Sequence, residues 1–250
     1  MESKLKLVRN LLEKRSARRK EKAFVVEGPH LVEEASDRVK FFFYCENFPI
    51  VKELEEKGSI GYKISRKQFE DISQVETPQG ILAVVRELEY SIRDLFRSDK
   101  TLIAFCIGVQ DPGNLGTIIR TADAFGASGI ILSKGTVDLY NPKVVRSTMG
   151  AIFHLPIITV DDDMETIGQI KGKGIKVIAS SLSGRKKLYD IELKGPIALL
   201  IGNEGAGLPE EIVSSADEAV LIPMAGKAES LNAGIAASIM LYETAKQRSK

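Results

Sequence analysis

Short apolar runs alternate with stretches of helical spacing along most of the chain. Residues 4–20 carry Leu5, Val8 and Leu12 on one stripe with basic residues elsewhere, the spacing of a surface helix. FVVEG (24–28) reads as a strand, Pro29–Ser36 as a short helix and VKFFFYC (39–45) as a strand. Pro49–Lys57 reads as a helix with Ile50, Val51 and Leu54 inward, ended by Gly58. YKIS (62–65) is a strand, Arg66–Ser73 a helix and GILAVVR (80–86) a strand. Alternation of this kind over about 85 residues makes a compact α/β unit.

A charged stretch with only a weak apolar stripe follows, and the alternation then resumes. TLIAFCIGV (101–109) is a strand, and Asn114–Phe125 a helix opened by a turn at Pro112 and Gly113. GIILS (129–133) is a strand, Pro142–Ser147 begins a helix, LPIITV (155–160) is a strand and Met164–Lys171 a helix. IKVIAS (175–180) and PIALLIG (196–202) are strands, Leu208–Ser214 a short helix and EAVLIP (218–223) a strand. Ser230–Lys246 reads as a long amphipathic helix with Ser230 as its N-cap. Apolar runs this continuous leave no polar face, so they point to parallel strands covered on both sides. The predicted organisation is one domain over 1–90, a linker over 91–99 and a second domain over 100–250.

The net charge of +1 names no partner by itself, but the distribution does. Residues 1–22 hold nine Lys/Arg against three Glu, a net +6, which leaves −5 for the rest. A basic segment of this kind is the electrostatic footprint of a nucleic-acid binder, giving salt-sensitive contacts to phosphates. With no tryptophan and scattered aromatics, no stacking platform can be named. Two cysteines, Cys45 and Cys106, lie in apolar runs, and two histidines, His30 and His154, stand far from them and from each other. This spacing offers no zinc site. No apolar run reaches the roughly 18 residues of a membrane span, and the N-terminus has no apolar signal core. The expectation is a cytoplasmic, reduced protein.

Candidate chemistry gathers where strands end, because ligands of a parallel sheet bind at its carboxyl edge. Three segments there have unusual composition: 110–130, 201–212 and 222–238. Common nucleotide motifs do not explain them. No G-x-G-x-x-G opens a helix after a strand, Gly202 and Gly207 are followed by Leu208 and Pro209 where a P-loop needs Lys and Ser/Thr, and no G-x-S-x-G occurs. Taken singly, Gly113 and Gly116 shape a turn, Asn114 caps a helix, Glu204 is a loop acid, and Ser230 and Asn232 start the last helix. His154 reads as a structural histidine, and Lys143 and Arg146 share a helical face that suits either solvent or RNA phosphates.

Together the three segments form a recognisable set. D-P-G-N-L-G-x-x-x-R-x-A-D-A-F-G (111–126), I-G-N-E-G-x-G-L (201–208) and I-P-M-x-G-x-x-x-S-L-N (222–232) resemble, in order and spacing, the three motifs of the SpoU-type (TrmH-like) RNA ribose 2′-O-methyltransferases of the SPOUT class. The resemblance covers about residues 100–250, and the first 90 residues look like the smaller, ribosomal-protein-like substrate-binding domain found ahead of it in many members. It implies an α/β fold whose C-terminal segment threads a trefoil knot, against the usual rule that chains do not thread loops. It also implies S-adenosylmethionine as cofactor, S-adenosylhomocysteine as product, no metal, and a homodimer with sites at the subunit interface.

By the same resemblance, backbone groups at Gly202, Ile222 and Leu231 hold the cofactor, and Ser180, Ser181, Pro223 and Met224 shape its pocket. Asn114, Arg120, Glu204, Ser230 and Asn232 form the catalytic and substrate-positioning set. Models of the family give the arginine matching Arg120 the role of base, but a guanidinium stays protonated in proteins. A clamp on phosphate and on developing alkoxide charge suits it better. Asn114 and Arg120 stand six residues apart, so they do not share a helix face. Ribosomal RNA, and 23S in particular, is favoured over transfer RNA because the separate N-terminal domain resembles those of members that act on ribosomal RNA. The rival from another class is a non-catalytic RNA-binding protein on a degenerate fold, against which the intact polar set argues.

Overall fold

The computed structural model describes residues 1–96 and 100–249. In chain order the first elements are α1 (Glu2–Glu13), α2 (Arg15–Glu21), β1 (Ala23–Glu27), α3 (Pro29–Glu34), β2 (Val39–Tyr44), α4 (Pro49–Glu56), β3 (Ile60–Lys63), α5 (Arg66–Glu70) and β4 (Ile81–Arg86). They are followed by β5 (Leu102–Cys106), α6 (Pro112–Ala124), β6 (Gly129–Ser133), α7 (Pro142–Ser147), β7 (Ile157–Val160), α8 (Asp163–Gly172) and β8 (Lys176–Ser180). The last are β9 (Lys186–Lys187), β10 (Ile197–Ile201), α9 (Glu210–Ser215), β11 (Glu218–Leu221) and α10 (Ala233–Arg248).

The chain divides into two compact units: Met1–Leu88 with Asp138–Phe153, and Glu89–Val137 with the chain from His154 onward. The sequence places residues 138–153 in the second domain, yet they pack in the first unit. Three contacts hold them there. Tyr140 stacks on Phe24 with ring centroids 4.4 Å apart, its hydroxyl accepts from the Leu88 amide at 2.8 Å, and Asp138 receives the guanidinium of Arg18 at 2.6 and 2.9 Å. The expected linker, 91–99, is described only to residue 96; its last three residues lie outside the described residues. Within it Ile92–Leu95 make one 3₁₀ turn that buries Leu95.

The sheet of the first unit has the order β1-β4-β2-β3, with β4 antiparallel to β1 and β2 and β3 parallel to β2. Val8, Leu11 and Leu12 of α1 join Phe41, Phe43 and Phe69 in its core. The single helix expected over 4–20 is two. Lys14 is extended (φ −117°, ψ 116°) and separates α1 from α2. The reason lies in Arg18, whose guanidinium turns back to donate to the Leu11 carbonyl at 2.6 Å and so satisfies an orphan acceptor at the end of α1.

The second unit is one parallel sheet of order β7-β6-β5-β10-β8-β11-β9. One face packs Ile103, Phe105, Ile131, Val177 and Leu200 against Ile167, Ile170 and Ile212 of α8 and α9, while α6 and α10 cover the other. Both faces are therefore buried, which is why its central strands carry no polar alternation. The two-residue β9 was not foreseen, because Lys186–Lys187 has neither the length nor the apolarity of a strand. The last helix begins at Ala233, and its N-cap is Asn232, whose side chain accepts from Ile235 N, so Ser230 is not the cap. Among the described residues no helix is long and apolar enough to cross a membrane.

Candidate active site

Three adjacent strands, β10, β8 and β11, end side by side at Ile201, Ser180 and Leu221. The loops leaving them wall a cavity of about 520 Å³, within the range of small-molecule sites. Eight residues singled out in the sequence line it: Ser180, Ser181, Gly202, Glu204, Ile222, Met224, Ser230 and Leu231. Leu182, Ser183 and Asn203 also line it. Pro223, Asn114, Asn232 and Arg120 are not in the lining. Pro223 is exposed instead.

Loop 203–207 turns sharply over the cavity. Asn203 N donates to Gly207 O at 3.1 Å and Gly207 N to Asn203 O at 3.0 Å, while Asn203 Oδ1 accepts from the Gly205 and Ala206 amides, both at 2.9 Å. Gly202 has to be glycine, because a Cβ there would collide with the Gly207–Leu208 peptide. Gly207 has φ +69°, in the left-handed region that glycine enters at little cost. The result brings main chain close to the cavity, where a flat ligand can be gripped by backbone groups.

Glu204 ties this loop to the start of α6. Its Oε1 accepts from Asp111 N and Asn114 Nδ2, both at 2.9 Å, and its Oε2 from Gln110 N at 3.1 Å. Burial pushes the Glu204 carboxyl up, but these donors outweigh burial and hold it below the ordinary carboxylate value. A carboxylate used this way is an acceptor hub, poorly suited to taking a proton from substrate. Asn114 is buried and extends the chain of contacts: its Oδ1 accepts from Asn232 Nδ2 at 2.7 Å. Glu204, Asn114 and Asn232 thus join all three motif loops in one hydrogen-bonded network.

The cap of α6 is Asp111, whose Oδ1 accepts from Asn114 N at 2.8 Å, so Asn114 lies in the first helical turn. Asp111 and Asn203 are the structural residues missed by the sequence reading. Their signals were present: Asp before Pro-Gly is a helix start, and Asn in a Gly-rich loop is a turn former. Arg120 lies in the body of α6, exposed, and among the described residues no hydrogen bond or ion pair holds it. The structure therefore joins Glu204, Asn114 and Asn232, lines the cavity with Ser230, and keeps Arg120 apart from them. His154 Nδ1 meets Asp123 Oδ2 at 2.8 Å, the satisfied histidine expected.

Comparison with known proteins agrees with this geometry. Residues 101–242 match the model of the SpoU rRNA Methylase family, and residues 2–83 that of the MRM3-like substrate binding domain. A curated relative, the 23S rRNA (guanosine(2553)-2′-O)-methyltransferase RlmP of Bacillus subtilis strain 168, is 37% identical, with 92% of each chain covered. An AdoMet-bound rRNA methyltransferase from Sinorhizobium meliloti superposes with a TM-score of 0.89 at 36% identity, covering 97% of this chain and 94% of that one. The SpoU methyltransferase AviRb from Streptomyces viridochromogenes, in complex with AdoMet, superposes at 0.91 with 30% identity, covering 99% and 98%.

Fold and site together define a SPOUT-class methyltransferase behind a smaller α/β domain, the fold class implied by the sequence. The chain belongs to the SpoU rRNA methylase family.

Proposed function

We propose that this chain transfers the methyl group of S-adenosylmethionine to a ribose 2′-hydroxyl of RNA, with 23S ribosomal RNA as substrate. The observation that carries the reading is the cavity at the ends of β8, β10 and β11, walled by the loops that leave these strands, the second and third motifs among them, with a polar network joining those two motifs to the first. The 23S rRNA relative covering 92% of both chains supports the choice of RNA. The first unit, matching a substrate-binding model over residues 2–83, is assigned to RNA.

The residues present fit the cofactor. Ile222, Met224 and Leu231 offer apolar flanks for an adenine ring, Gly202 lets main chain approach, and Ser180, Ser181 and Ser230 bring hydroxyls to the cavity wall. Pro223 would shape the loop between Ile222 and Met224 from outside the lining. When bound, the cofactor supplies a methyl group already activated by positive sulfur, which needs no metal ion.

The remaining work is alignment, which can supply on the order of 7–11 kcal/mol. The ribose oxygen forms its bond to carbon as the carbon–sulfur bond breaks, S-adenosylhomocysteine leaves, and the hydroxyl proton passes to solvent or to a base. Arg120 would clamp the nearby phosphate and stabilise charge developing on the attacking oxygen. Ser230 sits at the cavity wall to contact substrate, and Glu204, Asn114 and Asn232 hold the loops in register.

Arg120 stands outside its own chain's cavity lining, which fits a site completed in a homodimer. Large apolar side chains on α10 support an association surface: Ile235 and Tyr242, seven residues apart on one helix face, are 49% and 53% exposed. The setting of such an enzyme is the cytoplasm, where its RNA resides. Calorimetry with S-adenosylmethionine and light scattering test these assignments: binding to a dimer is expected, and a non-binding monomer would refute them.

A further inference from the structure

The unforeseen edge strand places an unusual surface beside the cavity. β9 pairs in parallel with β11, with Lys187 opposite Leu221. The next residue on one strand, Ile222, is cavity wall. The next two on the other are Leu188, which is buried, and Tyr189, which is 54% exposed. Leu188–Asp190 form a 3₁₀ turn, so Tyr189 follows directly on β9, at the end of the sheet edge where β11 runs on into the cavity wall.

The charge around this tyrosine is specific. Lys187 Nζ lies 5.8 Å from its ring centroid, close enough for a cation–π contact. Arg185 and Lys187 have no ion pair among the described residues, whereas Lys186 is held by Glu218 at 2.9 Å. Asp190 is the one acid adjoining the tyrosine in sequence. Gly184 brings the segment close over β11, since a Cβ there would stand 2.6 Å from the Val220 carbonyl carbon. Lysines on an edge strand also guard against pairing with another sheet, but that role asks for no exposed aromatic ring.

We infer that Tyr189 is a stacking platform for an unpaired base flanking the methylated nucleotide, with Lys187 and Arg185 taking the adjoining phosphates. The chemistry matches the way proteins hold single-stranded RNA, an aromatic face for any base beside cations for the backbone. The inference rests on the RNA-methylating reading above and adds to it an RNA contact on the catalytic unit itself.

The test uses the full chain, in-vitro-transcribed bacterial 23S rRNA and radiolabelled methyl donor. Tyr189→Ala should raise the KM for RNA on the order of tenfold or more, the loss expected of one base–aromatic stack. Tyr189→Phe, which keeps the ring, should stay within about twofold of the parent. Lys187→Ala should weaken RNA binding and lower its log–log salt slope by about one. Calorimetric affinity for S-adenosylhomocysteine should be unchanged in all three. A Tyr189→Ala enzyme with the parent's KM, or one that loses S-adenosylhomocysteine in step with RNA, would overturn the inference. A parent that methylates no RNA would overturn the functional reading, and this inference with it.

Discussion

Glu204 and Arg120 show how one motif set divides its labour. Glu204 accepts three donors from the segment 110–114 and sits below its ordinary pKa of 4.5 for that reason. A carboxyl with a lowered pKa stabilises the fold fully above its unfolded value and loses that contribution as pH falls through the lower folded value. Stability against denaturant should therefore gain nothing from Glu204 as pH rises above about 5 and lose its contribution only on further acidification, read from unfolding curves at several pH values. Glu204→Gln turns one acceptor into a donor facing backbone N–H groups, at a cost of about 1.5–3 kcal/mol. Calorimetry on that variant should show weakened cofactor binding; parental affinity would remove the hub role. Arg120 is the opposite case, exposed and held by no hydrogen bond or ion pair among the described residues. Arg120→Lys should leave the melting temperature and cofactor affinity unchanged yet slow single-turnover methylation by about 10²-fold, because a planar fork becomes a point charge. Near-parental turnover would end the clamp argument.

Among the elements, the N-terminal helices differ most from their sequence reading. The basic residues suggest a dispensable RNA-binding segment, whose removal would cost RNA affinity while cofactor binding survives. The stripe is more than a surface seam: Val8, Leu11 and Leu12 are core residues, and one of the basic residues, Arg18, is itself 4% exposed against Asp138. Deleting residues 1–20 should therefore unfold the first unit, read as loss of a cooperative transition by calorimetry. Asp138→Ala leaves a guanidinium buried without its partner and should cost about 3–5 kcal/mol in denaturant unfolding. A change under 1 kcal/mol would show that the pair is dispensable. The parallel strands were legible because burial on both faces writes itself as an unbroken apolar run. The α1–α2 break and the packing of 138–153 were not, since both depend on Arg18, one cation among nine, finding a carboxylate 120 residues away. At the site, spacing and resemblance picked out the loops. The side-chain links Glu204–Asn114–Asn232 are tertiary and leave no local pattern to read, and Lys186–Lys187 becomes a strand only because β11 offers it an edge.

At the scale of the whole molecule, two units share one chain: a mixed four-stranded sheet matching a substrate-binding model, and a seven-stranded parallel sheet that carries the cavity. The association surface proposed on α10 gives a further expectation. Placing a charge in it with Tyr242→Asp should shift light-scattering mass from dimer toward monomer and reduce methyl transfer with it; an unchanged mass would place the interface elsewhere. The central claim is chemical: the cavity is where a methyl group passes to a sugar oxygen. Incubating the full chain with bacterial 23S rRNA and isotopically labelled S-adenosylmethionine, then digesting to nucleosides for mass spectrometry, tests that claim most directly. The label should appear in a single 2′-O-methylnucleoside and accumulate about 10²-fold more slowly in the Arg120→Lys control. Label on a base, or on no nucleoside at all, would contradict it.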